Sequence, residues 1–253
     1  MFNPSHLRTA RRDRAILAGL LGAMAGIAWL ALFLWSRSSA GGYLGHDAVG
    51  PSPFVTAALF TFGWLLMIVA MMLPSSIPLA VTFSRLVARR RRPARLVSLL
   101  VAGYLVVWTA FGLAAWAADR LVHSAVDAIP WLAAHPELIL GATLLVAGLW
   151  QFSPLRDRCL EECRSPLGFV LNRWRGTSER REAFALGIAH GAFCVGCCWS
   201  LMLVMFGVGM SSLVAMLVLG GVTAVEKNLP QGRRLTRPVG VLLVFAALAA
   251  VAW

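Results

Sequence analysis

Charged residues are scarce in this chain. They make up 13% of the 253 residues, whereas soluble domains average about 25%. Their scarcity excludes an ordinary soluble domain, because the residues between them form long uncharged runs that a water-exposed surface would not carry. Hydrophobic residues account for 59% of the sequence, and the mean hydropathy is +0.75. We therefore predict an integral membrane protein.

Lysine is almost absent, occurring only as Lys227. No lysine lies within a predicted span, which excludes a retinal protein, because retinal needs a lysine there to form its Schiff base. The sequence also lacks a Ser/His/Asp set, a phosphate-cradling glycine loop and an extended carboxylate pattern. No enzyme class is indicated, and a role without catalysis is favoured.

Six uncharged runs predict seven transmembrane helices, because a span needs about 20 residues and the longest run holds two. The predicted fold is all-α, a polytopic helical bundle forming a single integral membrane domain over residues 1–253. Its spans lie at about 15–36, 55–81, 96–118, 138–153, 184–206, 211–225 and 238–253. A cleaved signal peptide is the alternative for the first span, but its run of 22 residues exceeds the usual length of about 7 to 15.

Arginine supplies nearly all of the positive charge and orients the helices. With the N-terminus in the cytoplasm, all 23 basic residues except Arg37 and Arg120 fall on the cytoplasmic side, as the positive-inside rule requires. We predict a bacterial inner-membrane protein, whose net charge of +12 is an orientation signal. The lipid bilayer is its expected partner, and nucleic acid is not. On the outer side, His46, Asp47 and His123 are interpreted as solvated loop residues.

Three of the five cysteines lie together in the fifth predicted span, at Cys194, Cys197 and Cys198. At about 100° per residue, these three and His190 fall within one third of a helix circumference. Cys and Met select soft ions such as Cu(I), while Cys with His also suits zinc. The pattern predicts an intramembrane metal site for copper, with zinc as the alternative. Neutral cysteines that simply pack as small apolar residues are the competing interpretation.

Methionines near this cluster extend the predicted site. Met202 and Met205 follow the cysteines in the fifth span, while Met67 and Met71 share one face of the second span. These four are expected to act as weaker ligands along a path. Pro74 and Pro78 predict a kink in the second span. The face of this span that carries Met67 and Met71 is expected to meet the cysteines.

Two further groups complete the predicted ligand set. Cys159 and Cys163 lie four residues apart on a predicted cytoplasmic stretch, where nearby arginines would favour the thiolate, and we interpret them as an inner relay. Glu226 ends the sixth predicted span, where a carboxylate is usually paired or functional. An interfacial pair between Glu226 and Lys227 is the alternative.

These motifs resemble a bacterial family of predicted metal-binding integral membrane proteins whose function is unknown. The resemblance runs from about Phe60 to Gly232, and its most specific part is the sequence from Cys194 to Trp199. It also includes Trp64 to Pro74, Cys159 to Pro166, His190 with Gly191, Met202, and Glu226 with Lys227. Where the family has Thr-Pro-Leu-Lys, this chain has Ser-Pro-Leu-Arg at residues 153–156. The resemblance implies metal binding and no activity.

We predict a protein that takes part in the passage of a soft metal or in its delivery to a membrane metalloenzyme. The first alternative is a membrane thiol-redox protein, passing electrons between Cys159 with Cys163 and Cys194 with Cys197. The second is an assembly or scaffold subunit without catalytic function, whose cysteines would tolerate serine.

Overall fold

The computed structural model describes residues 4–38, 52–208 and 212–252, so His46 and Asp47 lie outside the described residues. Within these ranges the chain contains helices and connecting turns but no strand, which confirms the all-α prediction. The α-helices are α1 Pro4–Ser36, α2 Pro53–Met71, α3 Leu73–Leu86, α4 Pro93–Ala128, α5 Pro130–Ala133, α6 Pro136–Trp150, α7 Pro154–Arg164, α8 Pro166–Arg173, α9 Glu179–Val208, α10 Leu213–Asn228 and α11 Thr236–Ala252. A 3₁₀-helix at Gly232–Leu235 leads into α11.

Five segments are long and apolar enough to cross a membrane, at Ala15–Ser36, Phe54–Met71, Pro93–Ala128, Glu179–Val208 and Gly232–Ala252. Helices α6 and α7, bent by 65°, form a sixth if they are counted as one broken span. The chain is thus a multi-pass membrane protein with five or six candidate spans rather than seven. The difference lies largely in α10, whose 16 residues reach about 24 Å and fall short of the roughly 30 Å hydrocarbon core.

Proline and serine fix where the helices begin. Each of the seven consecutive helices α2 to α8 has proline in its first two positions, where the missing N–H costs no helical hydrogen bond. Ser52, Ser153 and Ser212 cap α2, α7 and α10 by accepting a hydrogen bond from a backbone N–H of the first turn. The starts of these helices are therefore set by local residues, the prolines and the capping serines.

Helices α4 and α9 form the closest backbone contact beside the site. Gly103 of α4 faces the backbone at Phe184 and Ile188, and Gly187 of α9 faces the carbonyl of Leu100. A methyl group at either glycine would overlap the opposing backbone. Small residues permit this approach, as is usual between membrane helices, and it holds α9 firmly against α4.

The predicted interruption of the second span is observed, and the break falls at Met72 between α2 and α3. Because Pro74 has no N–H, the carbonyl of Ala70 loses its helical donor, and Trp29 Nε1 of α1 donates to that carbonyl at 3.1 Å instead. Ser75 Oγ and Tyr104 Oη donate to the carbonyl of Met72 at 2.7 and 3.3 Å. The protein thus satisfies the exposed carbonyls at the break, as an apolar environment requires.

Candidate metal centre

Helix α9 places Cys194, Cys197 and Cys198 on its buried side near the midpoint of the helix. Each of the three is at most 2% exposed, and His190, one turn earlier, is also buried. The Sγ atoms of Cys197 and Cys198 donate to the carbonyl oxygen of Cys194 at 3.1 and 2.8 Å. The predicted common face of these four residues therefore points into the protein.

Lys227 of α10 lies against the cysteines. Its Nζ is 2.9 Å from Cys194 Sγ, 3.9 Å from Cys198 Sγ and 3.5 Å from Ser75 Oγ. A buried ammonium group is costly unless it has a hydrogen-bonding or charged partner. Here the sulfur atoms and one hydroxyl are those partners, so the only lysine of the chain is directed at the predicted metal site.

Tyr104 and Met72 complete the surroundings of the two thiols. Tyr104 Oη lies 3.1 Å from Cys194 Sγ, and Met72 Sδ lies 3.9 Å from Cys198 Sγ. Both side chains are almost completely buried. A thioether and a thiol therefore face each other where the break between α2 and α3 meets α9.

The second and fifth predicted spans meet at Met72, a methionine outside the predicted ligand set. Met72 contacts Cys198, whereas Met71 packs against Gly220 of α10. Met67 is buried in the same apolar cluster as the cysteines, together with Met202 and Met205. The four methionines predicted as path ligands thus line the core around the thiols.

Helix α7 brings the second cysteine pair to the same place. It is bent by 65° from α6 and packs against α9. Cys163 packs against the apolar cluster that contains Cys194 and Cys197, while Cys159 Sγ packs on Gly196 of α9. All five thiols are free and gather around one segment of α9.

His190 is held by hydrogen bonding and ring contacts. Its Nε2 lies 3.2 Å from Ser76 Oγ, and its ring stacks on Tyr104 with the centroids 5.6 Å apart. Phe169 packs edge-on against the other side of the ring. Nδ1 is buried without a partner among the described residues, which leaves one imidazole nitrogen for further binding.

Glu226 is engaged in a separate polar contact. Arg156 Nη2 donates to its Oε2 at 2.6 Å, and both side chains are almost fully buried. Thr236 Oγ1 lies 3.4 Å from Oε1, and Arg164 donates to the backbone oxygen of Glu226. Glu226 and Lys227 therefore have separate partners and do not form the interfacial pair considered from the sequence.

The donor set at this centre suits a soft ion, although its geometry is not that of a closed site. Within the described ranges, no group of three or more His, Cys, Asp and Glu side chains is arranged to hold a metal ion as it stands. The centre nevertheless combines thiols with the thioether of Met72, the donor types that select Cu(I). A structural zinc site would instead present four tetrahedral ligands.

Three residues at this centre were outside the predicted ligand set, namely Lys227, Tyr104 and Met72. The only lysine of a membrane chain and one of its two tyrosines are sequence features that mark Lys227 and Tyr104 for attention. Met72 is adjacent to the predicted Met71 but lies at the helix break, where regular helical spacing no longer assigns the face.

Comparison with known proteins identifies the family. A profile of the copper chaperone family PpoB2 matches residues 61–250, most of the chain. No curated protein and no solved structure shows significant similarity. The match supports the predicted metal-binding family and extends beyond the region from Phe60 to Gly232 on which the resemblance rested. The chain therefore belongs to this copper chaperone family and is a membrane protein associated with copper.

Proposed function

We propose that this protein holds Cu(I) as cargo in a buried sulfur cluster and delivers it to a copper enzyme of the bacterial inner membrane. The cluster comprises the donors gathered around α9, namely Cys163, Cys194, Cys197, Cys198 and Met72. The observation that carries the proposal is the placement of Lys227 Nζ 2.9 Å from Cys194 Sγ. It puts a positive charge beside sulfur atoms that must lose their protons to bind a metal.

Lys227 supplies a positive charge beside the thiols, both before and after Cu(I) binds. In the structure the ammonium group is the cationic neighbour of Cys194 and Cys198. When Cu(I) binds, the metal becomes the direct partner of the sulfur atoms, and Lys227 balances the negative charge of the thiolate ligands. In the structure Ser75 Oγ accepts a hydrogen bond from the lysine at 3.5 Å.

The remaining predicted ligands form the proposed route. Met67, Met71, Met202 and Met205 are buried in the apolar cluster that contains the thiols, and thioethers bind Cu(I) more weakly than thiolates. Cys159 lies one turn from Cys163 and acts as the relay. Glu226 joins the route only by leaving Arg156, its present partner. His190 can join through Nδ1 while Nε2 stays beside Ser76.

Copper is favoured over zinc by the donors that surround the sulfur cluster. The imidazole of His190 is hydrogen-bonded to Ser76, whereas the thioether of Met72 contacts a thiol directly. Thioether and thiolate donors select Cu(I), and zinc prefers thiolate, imidazole and carboxylate. Membership of a copper chaperone family agrees with this order.

Anaerobic metal loading tests binding. Purified wild-type protein is incubated with Cu(I) or Zn(II), desalted and submitted to elemental analysis, beside a Cys194→Ser/Cys197→Ser/Cys198→Ser variant. We expect the wild type to retain copper in stoichiometric amount and the triple variant to lose it. The matched control is Cys159→Ser, which should keep its copper. Equal copper in the wild type and the triple variant would overturn the proposal.

Delivery is tested in cells of the source bacterium that lack the gene. We expect a membrane copper enzyme to lose copper in these cells, and the wild-type gene to restore its activity while the triple-serine gene does not. Restoration by the triple-serine gene at matched protein levels would instead favour the scaffold role.

A thiol-redox function is the second candidate, because Cys163 packs against the cluster that contains Cys194 and Cys197 and all five thiols are free. Disulfides between the two cysteine pairs would then form and be reduced reversibly. Thiol trapping with an alkylating reagent, before and after a mild oxidant, distinguishes the two functions. Copper cargo predicts thiols that copper protects from alkylation, whereas redox transfer predicts disulfide-linked peptides joining α7 to α9.

A further inference from the structure

A second polar centre lies away from the sulfur cluster, in a cavity of about 850 Å³. The cavity is formed where α6 ends, α7 begins and the 3₁₀-helix leads into α11. Its polar lining consists of Gln151, Asp157, Arg233, Arg234, Thr236 and Arg237. We call it the arginine cavity. None of its lining residues is a proposed copper ligand.

The positive charge of the arginine cavity is only partly neutralised. Arg233 pairs with Glu161 at 2.7 Å and reaches Asp157 at 4.0 Å. Arg234 and Arg237 line the cavity without an ion pair to any other residue in the described part of the chain. After Asp157 is matched to Arg233, two guanidinium groups are left to bind an anion.

Gln151 points to a ligand independently of the arginines. It is 1% exposed, it lines the cavity, and neither Oε1 nor Nε2 has a hydrogen-bond partner among the described residues. A buried amide without partners is rare and calls for an explanation such as a bound group. The NH₂ of Gln151 can donate to an oxygen atom of an anion in the cavity.

The position of the cavity identifies the kind of anion. Gly232–Ala252 is a candidate membrane span, so residues at its start lie near the level of the lipid headgroups. Along the same span, Leu242 and Phe245 are about two-thirds exposed, an apolar face suited to acyl chains. Basic pockets between membrane helices on the cytoplasmic side bind anionic headgroups. Gln151 and Asp157 line the cavity at the start of the arginine-rich stretch that follows α6, which the charge distribution places on that side.

We propose that the arginine cavity binds the phosphate group of an anionic phospholipid. The guanidinium groups of Arg234 and Arg237 pair with the phosphate oxygen atoms, and Gln151 donates a further hydrogen bond. The acyl chains lie along the exposed face of α11. A water-soluble acidic segment of another protein would gain no binding energy from that apolar face, so a lipid is the favoured ligand.

Lipid titration of the purified full-length protein tests this proposal. Native mass spectrometry and thermal unfolding in detergent are followed with phosphatidylglycerol, phosphatidylcholine, inorganic phosphate or polyglutamate. We expect phosphatidylglycerol to remain bound and to raise the unfolding temperature, and phosphatidylcholine to do neither. Inorganic phosphate that binds as tightly would assign the same site to a free phosphate. Variant-sensitive binding of polyglutamate would overturn the lipid proposal in favour of an acidic partner.

Variants separate a built site from diffuse charge. Arg237→Gln should weaken phosphatidylglycerol binding about tenfold, because it removes a charge-assisted contact, and Gln151→Leu should weaken it as well. The matched control is Arg89→Gln, an exposed arginine on the same predicted side that does not line the cavity. Arg237 is exposed, as Arg89 is. If Arg89→Gln lowers phosphatidylglycerol binding as much as Arg237→Gln does, the arginine cavity has no specific role.

Discussion

Glu226 and Lys227 are neighbours at the end of α10, and both are buried. The carboxylate of Glu226 accepts a hydrogen bond from Arg156 at 2.6 Å, while the ammonium of Lys227 lies 2.9 Å from the sulfur of Cys194. Arginine carries a permanent charge, so the first pair consists of two ions that remain together. Cysteine is a metal ligand, so Lys227 faces a group that can take another partner.

This difference assigns separate roles to two adjacent residues. The Arg156 and Glu226 pair joins α7 to α10, and Thr236 of α11 binds both side chains. The contact therefore fixes three helices around the sulfur cluster. Lys227, the next residue in the chain, belongs to the sulfur cluster itself. Changes at the first pair should affect folding, and changes at the second should affect copper.

The largest effect is expected from Glu226→Gln. Removing the carboxylate charge leaves Arg156 buried without an ionic partner, which costs about 3–5 kcal/mol of unfolding free energy. Thermal unfolding in detergent measures the loss. The control is Glu162→Gln, because its pair with Arg173 is partly exposed and such pairs contribute about 1 kcal/mol or less. Equal stability of the two variants would contradict a structural role for Glu226.

Cys194→Ser should leave the fold in place and impair copper binding. Loss of a thiolate ligand should lower Cu(I) affinity by about 100-fold, or roughly 2.7 kcal/mol, as measured by competition with a chromophoric chelator. Cys159→Ser provides the comparison, since Cys159 packs on Gly196 outside the proposed cluster. If the two variants bind copper equally, Cys194 is not a ligand.

Lys227→Met tests the role of Lys227 at the sulfur cluster. Copper affinity should fall by about tenfold, the lower end of what loss of a supporting contact costs a metal site, because the thiolate ligands lose their neighbouring charge. Stability should stay within about 1 kcal/mol, because a neutral thiol packs as a small apolar residue. Lys227→Arg should recover part of the affinity. Unfolding of Lys227→Met would place Lys227 in the same structural class as Glu226.

The smallest effect is expected from Met72→Leu, which replaces the thioether by a side chain of similar volume. We expect Cu(I) affinity to fall about threefold, less than 1 kcal/mol. Met71→Leu is the matched control, because Met71 packs on Gly220, and its effect should be smaller. Equal effects of the two substitutions would mean that the contact between Met72 and Cys198 does not extend to the metal.

The period of a helix was enough to predict part of the site. Cys194, Cys197 and Cys198 share a buried face with His190, because α9 runs unbroken from Glu179 to Val208. Met67 and Met71 share a face for the same reason, because both lie on α2, which ends at Met71. The break before Pro74 changes the face from Met72 onward, and periodicity alone does not supply the size of that change.

Uncharged runs gave the membrane class but not the number of spans. Such runs show how apolar a segment is and do not show where its helix begins and ends. Helix α10 has only 16 residues, and two buried charged residues lie near its end. Glu226 and Lys227 resemble the boundary of a span in sequence. Their partners on α7 and α9 lie 29 to 70 residues away in the sequence, so a local pattern does not contain them.

X-ray absorption at the copper edge of the anaerobically loaded protein distinguishes sulfur ligands from nitrogen and oxygen ligands. We expect Cu(I) coordinated only by sulfur atoms, from the thiols around Cys194 and the thioether of Met72. In the Cys194→Ser/Cys197→Ser/Cys198→Ser variant this signal should disappear. A first shell of nitrogen and oxygen atoms in the wild type would contradict copper binding by the buried sulfur cluster.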